Sequence, residues 1–98
     1  MVVWVPRNDR LRDLSAAEEY GTICEAFPAN LAPYDFPRMR RIFETDVLPI
    51  ASRDDKIIVL GPTIMVAQFL MMWTLSFDQP NLIVFDRVPR RYRQVPRL

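Results

Sequence analysis

An uncharged run from Ile57 to Phe77 constrains the fold of this chain more than any other feature. Gly61-Pro62 interrupts the run, and the residue types change at that point. Before the interruption lie β-branched residues typical of a strand, and after it lies a longer segment rich in Met and Leu. We therefore expect a buried strand over residues 57–60, a tight turn, and a buried helix from residue 62 or 63 to about residue 75.

The same run is long enough to cross a bilayer as one helix. The Gly-Pro pair inside it, and a second apolar run over residues 81–85, favour a folded domain instead. The N-terminal segment MVVWVPR lacks the basic region and the long apolar region of a signal peptide. We therefore predict no membrane partner and a cytoplasmic location, with which the single cysteine is consistent.

Histidine is absent and Cys24 is the one cysteine, which excludes several classes of site. This chain alone cannot form a Ser-His-Asp triad, a Cys-His pair or a His-ligated metal site. It also cannot form an internal disulfide or a Cys cluster for zinc. Buried as a small apolar group, Cys24 needs no further role. We therefore predict no cofactor and no metal.

The remaining elements follow from apolar periodicity, turn residues and helix signals. Ser15 and Glu18 have the spacing of a capping box at the start of a short helix, and Gly21 suits the position after its end. Pro37 suits the first turn of a second helix, which Pro49 ends or kinks. The predicted elements are strand 2–5, helix 15–20, strand 22–27, helix 37–50, strand 57–60, helix 62–75, strand 81–85 and edge strand 91–95.

This order, β-α-β-α-β-α-β-β, predicts right-handed crossovers and a mostly parallel sheet. We expect one α/β domain over residues 1–98, a small three-layer Rossmann-like or flavodoxin-like fold with an antiparallel C-terminal edge strand. In such sheets ligands bind beyond the carboxyl ends of the parallel strands. We name that edge the rim; here it comprises residues 7–10, 29–30, 61–63 and 86–87.

The rim supplies the candidate ligand-binding residues Asn8, Asp9, Gly61, Thr63 and Arg87. Amides at the start of the third helix, with the Thr63 hydroxyl, would suit a phosphate or carboxylate. A packing role explains the same residues: Gly61 makes the turn, Pro62 sets the first helical φ, and Thr63 caps. The segment matches neither GxxxxGK[ST] nor GxGxxG.

Two carboxylates at the rim, Asp9 and Asp86, are weak candidates for acid–base or metal chemistry, and no catalytic residue is assigned. Nothing in their spacing requires that role. Asp13 is explained equally well as a helix cap, and Asp86 as the partner of a nearby arginine. We interpret Asp54-Asp55 as solvated turn charges.

The C-terminal segment is strongly basic although the whole chain has a net charge of only +1. Residues 81–98 contain five arginines and one aspartate. Arginine with an interleaved aromatic binds phosphates and stacks on bases, so this hairpin is a candidate contact for nucleic acid or a partner protein. Protection of an edge strand is the alternative explanation. The candidates are Arg90, Arg91, Tyr92 and Arg93.

The helix over residues 62–75 is apolar on all sides, which is typical of a helix buried on nearly every side. A domain of this size has too little sheet to cover it. We therefore predict that Met65, Phe69, Met72 or Trp73 contacts a second copy of the chain.

The pattern VLGPT, an apolar helix and then LIVFDRVPRRY, over residues 57–92, resembles short phage and prophage accessory proteins. The resemblance implies a small viral accessory protein that acts on a host or phage component. It assigns no activity and no site residue.

These observations favour a small non-enzymatic interaction module, homodimeric, that engages a protein or an anionic ligand through the rim or the basic hairpin. Two alternatives remain. One is a nucleotide or phosphate sensor, or a phosphodiesterase-type enzyme, that uses Gly61-Pro62-Thr63. The other is an RNA- or DNA-binding accessory protein.

Overall fold

Five strands form a single sheet in the computed structural model, which describes residues 1–98. The elements are β1 (Val2–Val5), a 3₁₀ helix (Ser15–Tyr20), β2 (Thr22–Glu25), α1 (Phe36–Ile42), a π-helical turn (Phe43–Val47), β3 (Lys56–Ile58), α2 (Thr63–Phe77), β4 (Asn81–Asp86) and β5 (Arg91–Gln94). The strand order is β2-β1-β3-β4-β5. Strands β1 to β4 are parallel, and β5 is antiparallel to β4. The predicted α/β fold is confirmed, and its strand order is the flavodoxin-like one.

The two faces of the sheet are covered very unequally. Alternate residues of each strand point to opposite faces, so Trp4 and Ile57 face the two α-helices while Val3 and Ile58 face the 3₁₀ helix. The helix-covered face contains the larger cluster: Trp4, Phe27, Leu31, Met39, Phe43, Val47, Ile57, Met65, Phe69 and Trp73. The opposite cluster has Val3, Val5, Ala17, Ile58, Ile83 and Tyr92. The third layer therefore exists, but it is only one short helix.

The capping box predicted at Ser15 and Glu18 is wrong. The residue before the helix is Leu14, which makes no side-chain cap. Instead the Asp13 carboxylate accepts the Ser15 backbone N–H at 2.9 Å. The hydrogen bond from the Ser15 backbone, followed by that from the Ser15 side chain, lowers the pKa of Asp13. The short segment is a 3₁₀ helix rather than an α-helix, and such pieces are rarely longer than a turn or two.

Most element boundaries differ from the prediction by one or two residues. Strand β2 and the second helix differ because the backbone finds other partners. Strand β2 ends at Glu25 rather than residue 27, and the Phe27 N–H instead donates to the Pro6 carbonyl at 2.9 Å. The second helix changes from α to π geometry at Phe43, and the N–H of Leu48 donates five residues back to the Phe43 carbonyl. Phe43 and Val47 are both buried in the core, on the face that their four-residue spacing shares in an α-helix as well.

Asp55 is a buried carboxylate, so its interpretation as a solvated turn charge is wrong. Its side chain is 1% exposed and makes no ion pair. Three donors surround it: Val2 N–H at 3.1 Å, Trp4 Nε1 at 3.1 Å and Ser52 N–H at 2.9 Å. The carboxylate therefore joins the turn before β3 to the start of β1. Its neighbour Asp54 is exposed, as predicted.

The uncharged run divides between β3 and α2, so no single helix contains it. Gly61 and Pro62 separate the two elements, and α2 has 15 residues. No helix in the structure combines the length and the apolar character that crossing a membrane requires.

Candidate functional site

The rim forms as predicted, but backbone contacts close its centre. The topological switch point lies between β1 and β3, where a flavodoxin-like sheet has its crevice. Here the Arg7 N–H donates to the Leu60 carbonyl at 3.3 Å, beyond the end of β3. A cavity of about 350 Å³ remains beside this contact. It is lined by Asp9, Arg10, Arg12, Val59, Leu60, Gly61 and Pro62.

Gly61 allows this close approach, in agreement with its predicted role in the turn. Its φ is +136°, and a Cβ at this position would lie 3.2 Å from the Arg7 carbonyl oxygen and 3.3 Å from the Arg7 nitrogen. Thr63, in contrast, makes no cap. Pro62 is the residue before the helix, no side chain caps α2, and Thr63 is exposed. The predicted capping role of Thr63 is therefore wrong.

Replacing Gly61 with Ala is expected to lower the free energy of unfolding by about 1–3 kcal/mol, since the new Cβ meets backbone and φ is unfavourable for an L-residue. Chemical denaturation followed by circular dichroism measures the change. The control is Thr63→Ala at an exposed position, which should alter stability by less than about 0.5 kcal/mol. Equal stability of Gly61→Ala and wild type would contradict this account of the turn.

Asp9, one of the two weak catalytic candidates, is held in an ion pair. Its carboxylate contacts the Arg7 guanidinium, which is itself buried. Arg7 also donates to the carbonyl oxygens of Pro28 and Leu31. Arg7 therefore holds the loop after β2 close to the end of β1 through these hydrogen bonds. This contact explains Asp9 structurally, without a substrate.

Asp86, the other candidate, belongs to the β4–β5 hairpin. Its carboxylate accepts Arg93 Nη1 at 2.9 Å and the Val88 N–H at 3.0 Å. The hydrogen bond from Arg93, followed by that from Val88, lowers the pKa of Asp86. Asp9 lies after the end of β1, and Asp86 is the last residue of β4. Strand β3 lies between these two strands, so they are two strand spacings, about 10 Å, apart. The structure does not bring the two carboxylates together as an acid–base pair.

The remaining rim residues are dispersed. Asn8 closes its own loop: its side chain accepts the Arg12 N–H at 3.0 Å and donates to the Arg12 carbonyl at 2.9 Å. Asn8, Asp9 and Ala29 line a second cavity of about 920 Å³ between the rim and α1. Thr63 and Arg87 line neither of the rim cavities. No three Asp, Glu, His or Cys side chains come together in a way that could hold a metal ion.

The basic hairpin is exposed except for its aromatic residue. Arg87, Arg90 and Arg91 are exposed and lie outside the three ion pairs of the chain. Tyr92 is 6% exposed, and its backbone carbonyl accepts the Tyr20 hydroxyl at 3.1 Å. Burial raises the pKa of Tyr92. Tyr92 was predicted to contact nucleic acid or a partner, and its place in the core makes that prediction wrong.

The residues predicted to contact a second copy through α2 are mostly inside the chain's own core. Met65, Phe69 and Trp73 are each 0% exposed, so the prediction is wrong for these three. Phe69 makes edge contacts with the rings of Phe27 and Phe43, at centroid distances of 5.9 Å and 5.4 Å. The sheet and α1 together cover this side of α2 completely. Of the four predicted residues only Met72 is half-buried, and there the contact stays a prediction.

The opposite side of α2 is the surface that sequence reasoning missed. Met71 is 59% exposed and Leu75 is 89% exposed, while Phe36 of α1 is 40% exposed. These three side chains line a groove of about 730 Å³ between α1 and α2. Because α2 has no polar stripe, its sequence carried no signal of which side would face water. Phe36 precedes the predicted start of its helix, so the predicted helix pattern does not include it either.

The structure therefore presents two separate surfaces, an apolar groove between α1 and α2 and a basic hairpin next to the rim. Neither contains a paired acid and base or an activated nucleophile. Comparison of the chain with protein-family models, with curated proteins and with solved structures finds no match.

Proposed function

We propose that this protein is a non-enzymatic interaction module that pairs with a second copy of itself through the groove between α1 and α2. The observation that carries the proposal is the exposed apolar side of α2. No residue from Thr63 to Phe77 is charged, although 26% of the chain is. Met71 and Leu75 are the large apolar side chains exposed there, with the uncharged Thr74 and Ser76 beside them. Exposed apolar surface of this kind on a folded domain marks an interaction site.

The groove is continuous and has an apolar floor. Phe43, Leu48 and Met72 form the floor, and Phe36, Met71 and Leu75 stand exposed around it. Fully covering side chains of this size contributes about 1.5–3 kcal/mol each. A partner that seats an apolar ridge in the groove gains the part of that free energy that exceeds the cost of association.

Charge at the groove favours a second copy as the occupant. Two charged side chains line it, Arg40 and Glu44, which form an ion pair at 2.9 Å. The surface is therefore neutral, with one cation beside one anion. Around a two-fold axis such a surface is self-complementary, since Arg40 of one copy faces Glu44 of the other. A strongly acidic or basic partner would find no opposite charge there.

The size of α2 also suits pairing of two copies. Its 15 residues extend about 22 Å, against a molecular width of 27 Å. Two antiparallel copies of α2 would thus cover most of one side of each molecule. Stable interfaces cover about 800 Å² per partner.

Two observations support a non-catalytic role. The rim carboxylates Asp9 and Asp86 are each engaged by an arginine. The contact between Arg7 and Leu60 fills the centre of the crevice at the switch point and leaves only a cavity of about 350 Å³ beside it. A phage or host protein as a further partner, which the resemblance of residues 57–92 implies, stays a prediction.

Replacing Leu75 with Glu is expected to convert the dimer to a monomer. Two glutamates, one from each copy, would enter the apolar interface and raise the dissociation constant at least about 100-fold. Sedimentation equilibrium or native mass spectrometry over a concentration series measures this. Circular dichroism should show the wild-type fold, because Leu75 is 89% exposed in the single chain.

The matched control is Leu11→Glu, which makes the same change at an 88% exposed leucine that does not line the groove. It should leave the dimer intact. A wild-type protein that is monomeric at 100 μM would contradict the proposal. Equal dissociation of the two variants would contradict it too, since general charge repulsion would then explain the effect.

A further inference from the structure

Five exposed arginines gather at one end of the sheet and come from two segments far apart in sequence. Arg10 and Arg12 lie in the loop after β1, while Arg87, Arg90 and Arg91 lie in the β4–β5 turn and at the start of β5. We name this set the arginine edge. None of the five takes part in an ion pair.

The fold brings the two segments together at the carboxyl ends of the parallel strands. The loop after β1 is braced by the Asn8 side chain, which bonds both backbone groups of Arg12. The 3₁₀ helix that follows is tied to β5 by the hydrogen bond from Tyr20 to the Tyr92 carbonyl. Burial raises the pKa of Tyr92, and the neighbouring charges of Arg12 and Asp13 lie close enough to lower it and to raise it, respectively.

Acidic residues neutralise this edge only in part, since the exposed Asp13 and Glu25 lie at the same end of the sheet. Asp9 and Asp86 are occupied by Arg7 and Arg93, neither of which belongs to the arginine edge. The exposed acids Glu18, Glu19, Asp54 and Asp78 lie at the opposite end, close to where the strands begin. The net charge of +1 thus conceals a separation of positive and negative charge along the strand direction.

An exposed aromatic ring accompanies the arginines. Phe85 on β4 is 45% exposed, and Tyr92 on β5 lies directly opposite in register. The two rings meet at a centroid distance of 5.3 Å and an angle of 67°. Tyr92 is buried, so it braces Phe85 while part of the Phe85 ring stays open to solvent. An aromatic side chain held on a strand beside arginines is a stacking platform for an unpaired base.

We propose that the arginine edge binds single-stranded nucleic acid, with the phosphates on the arginines and a base stacked on Phe85. This inference is independent of the self-association proposed above. The five cations are all arginines, whose planar guanidinium groups bind phosphate oxygens in pairs and also stack on bases. Phe85 is what favours a nucleic acid over other polyanions, which offer no base to stack.

Fluorescence anisotropy with labelled 12-nucleotide single-stranded RNA and DNA tests the proposal. Five phosphate contacts predict that the affinity falls about 100-fold between 50 and 200 mM salt. Arg10→Glu and Arg87→Glu, one from each segment, should each weaken binding about fivefold or more. Phe85→Leu keeps the apolar bulk but removes the stacking surface, and should weaken binding about tenfold.

The matched control is Arg53→Glu, the same charge reversal at an exposed arginine near the opposite end of the strands. It should change the affinity less than twofold. Failure of both oligonucleotides to bind at 50 mM salt overturns the proposal, as does an equal effect of all three charge reversals. An unchanged affinity of Phe85→Leu overturns the stacking assignment. Sedimentation with phosphatidylserine vesicles without oligonucleotide binding would assign the edge to lipid phosphates instead.

Discussion

Replacing Asp55 with Asn is expected to lower the free energy of unfolding by about 3 kcal/mol or more. The buried carboxylate accepts three hydrogen bonds, from Val2, Trp4 and Ser52. An Asn side chain offers one oxygen, and its amide group would point hydrogens at donors that have no other partner. Each buried donor left without an acceptor costs about 1–3 kcal/mol. Urea denaturation followed by circular dichroism measures the loss.

Asp54→Asn is the matched control because it makes the identical change one residue earlier, at an exposed side chain without hydrogen bonds to other groups of the chain. Its effect should stay within about 0.5 kcal/mol. If both variants lost the same stability, the effect would come from the net charge and not from the buried hydrogen bonds.

Replacing Phe69 with Ala is expected to cost about 3–5 kcal/mol, as deletion of a fully buried aromatic ring usually does. Phe69 is 0% exposed and packs against Phe27, Phe43 and Trp73. The ring therefore joins α2 to α1 and to the segment after β2. With a total stability of about 5–15 kcal/mol for a domain, the variant would be close to unfolding at 37 °C. The thermal midpoint and the urea midpoint both report the change.

Met71→Ala, two residues further along the same helix, is the control. Met71 is 59% exposed in the single chain, so its truncation should change the stability of the monomer by less than about 0.5 kcal/mol. Both variants are best compared in the Leu75→Glu background, where the proposed interface is absent. A similar loss for both would mean that the apolar side of α2 is covered in the monomer as well.

Local patterns were sufficient to predict the order of the elements and the class of the sheet. The change of residue type at Gly61-Pro62 separated β3 from α2, and the close approach of Arg7 to Gly61 shows why a side chain would not fit there. An uninterrupted apolar strand predicted that β3 is buried, and Ile57 and Ile58 do enter opposite clusters. The turn signal and the residue types are local, whereas the contact between Arg7 and Gly61 joins residues far apart in sequence.

The candidate sites could not be predicted in the same way. Asp54 and Asp55 are adjacent and chemically identical, yet only Asp55 meets donors from Val2 and Trp4, more than 50 residues away in sequence. Tyr92 occurs among arginines, which suggested a contact residue. Strand β5 places Tyr92 on the face of the sheet that the 3₁₀ helix covers, so Tyr92 is buried there.

The sequence by itself determined the α/β order, the parallel sheet with its antiparallel edge, and the turn at Gly61, because strand and helix periods and turn residues act over short distances. Only the tertiary structure decided which side of the uniformly apolar α2 is left open. It also decided that the arginines of two separate segments share one edge. Burial and charge clustering depend on which elements pack together, and a local pattern does not contain that information.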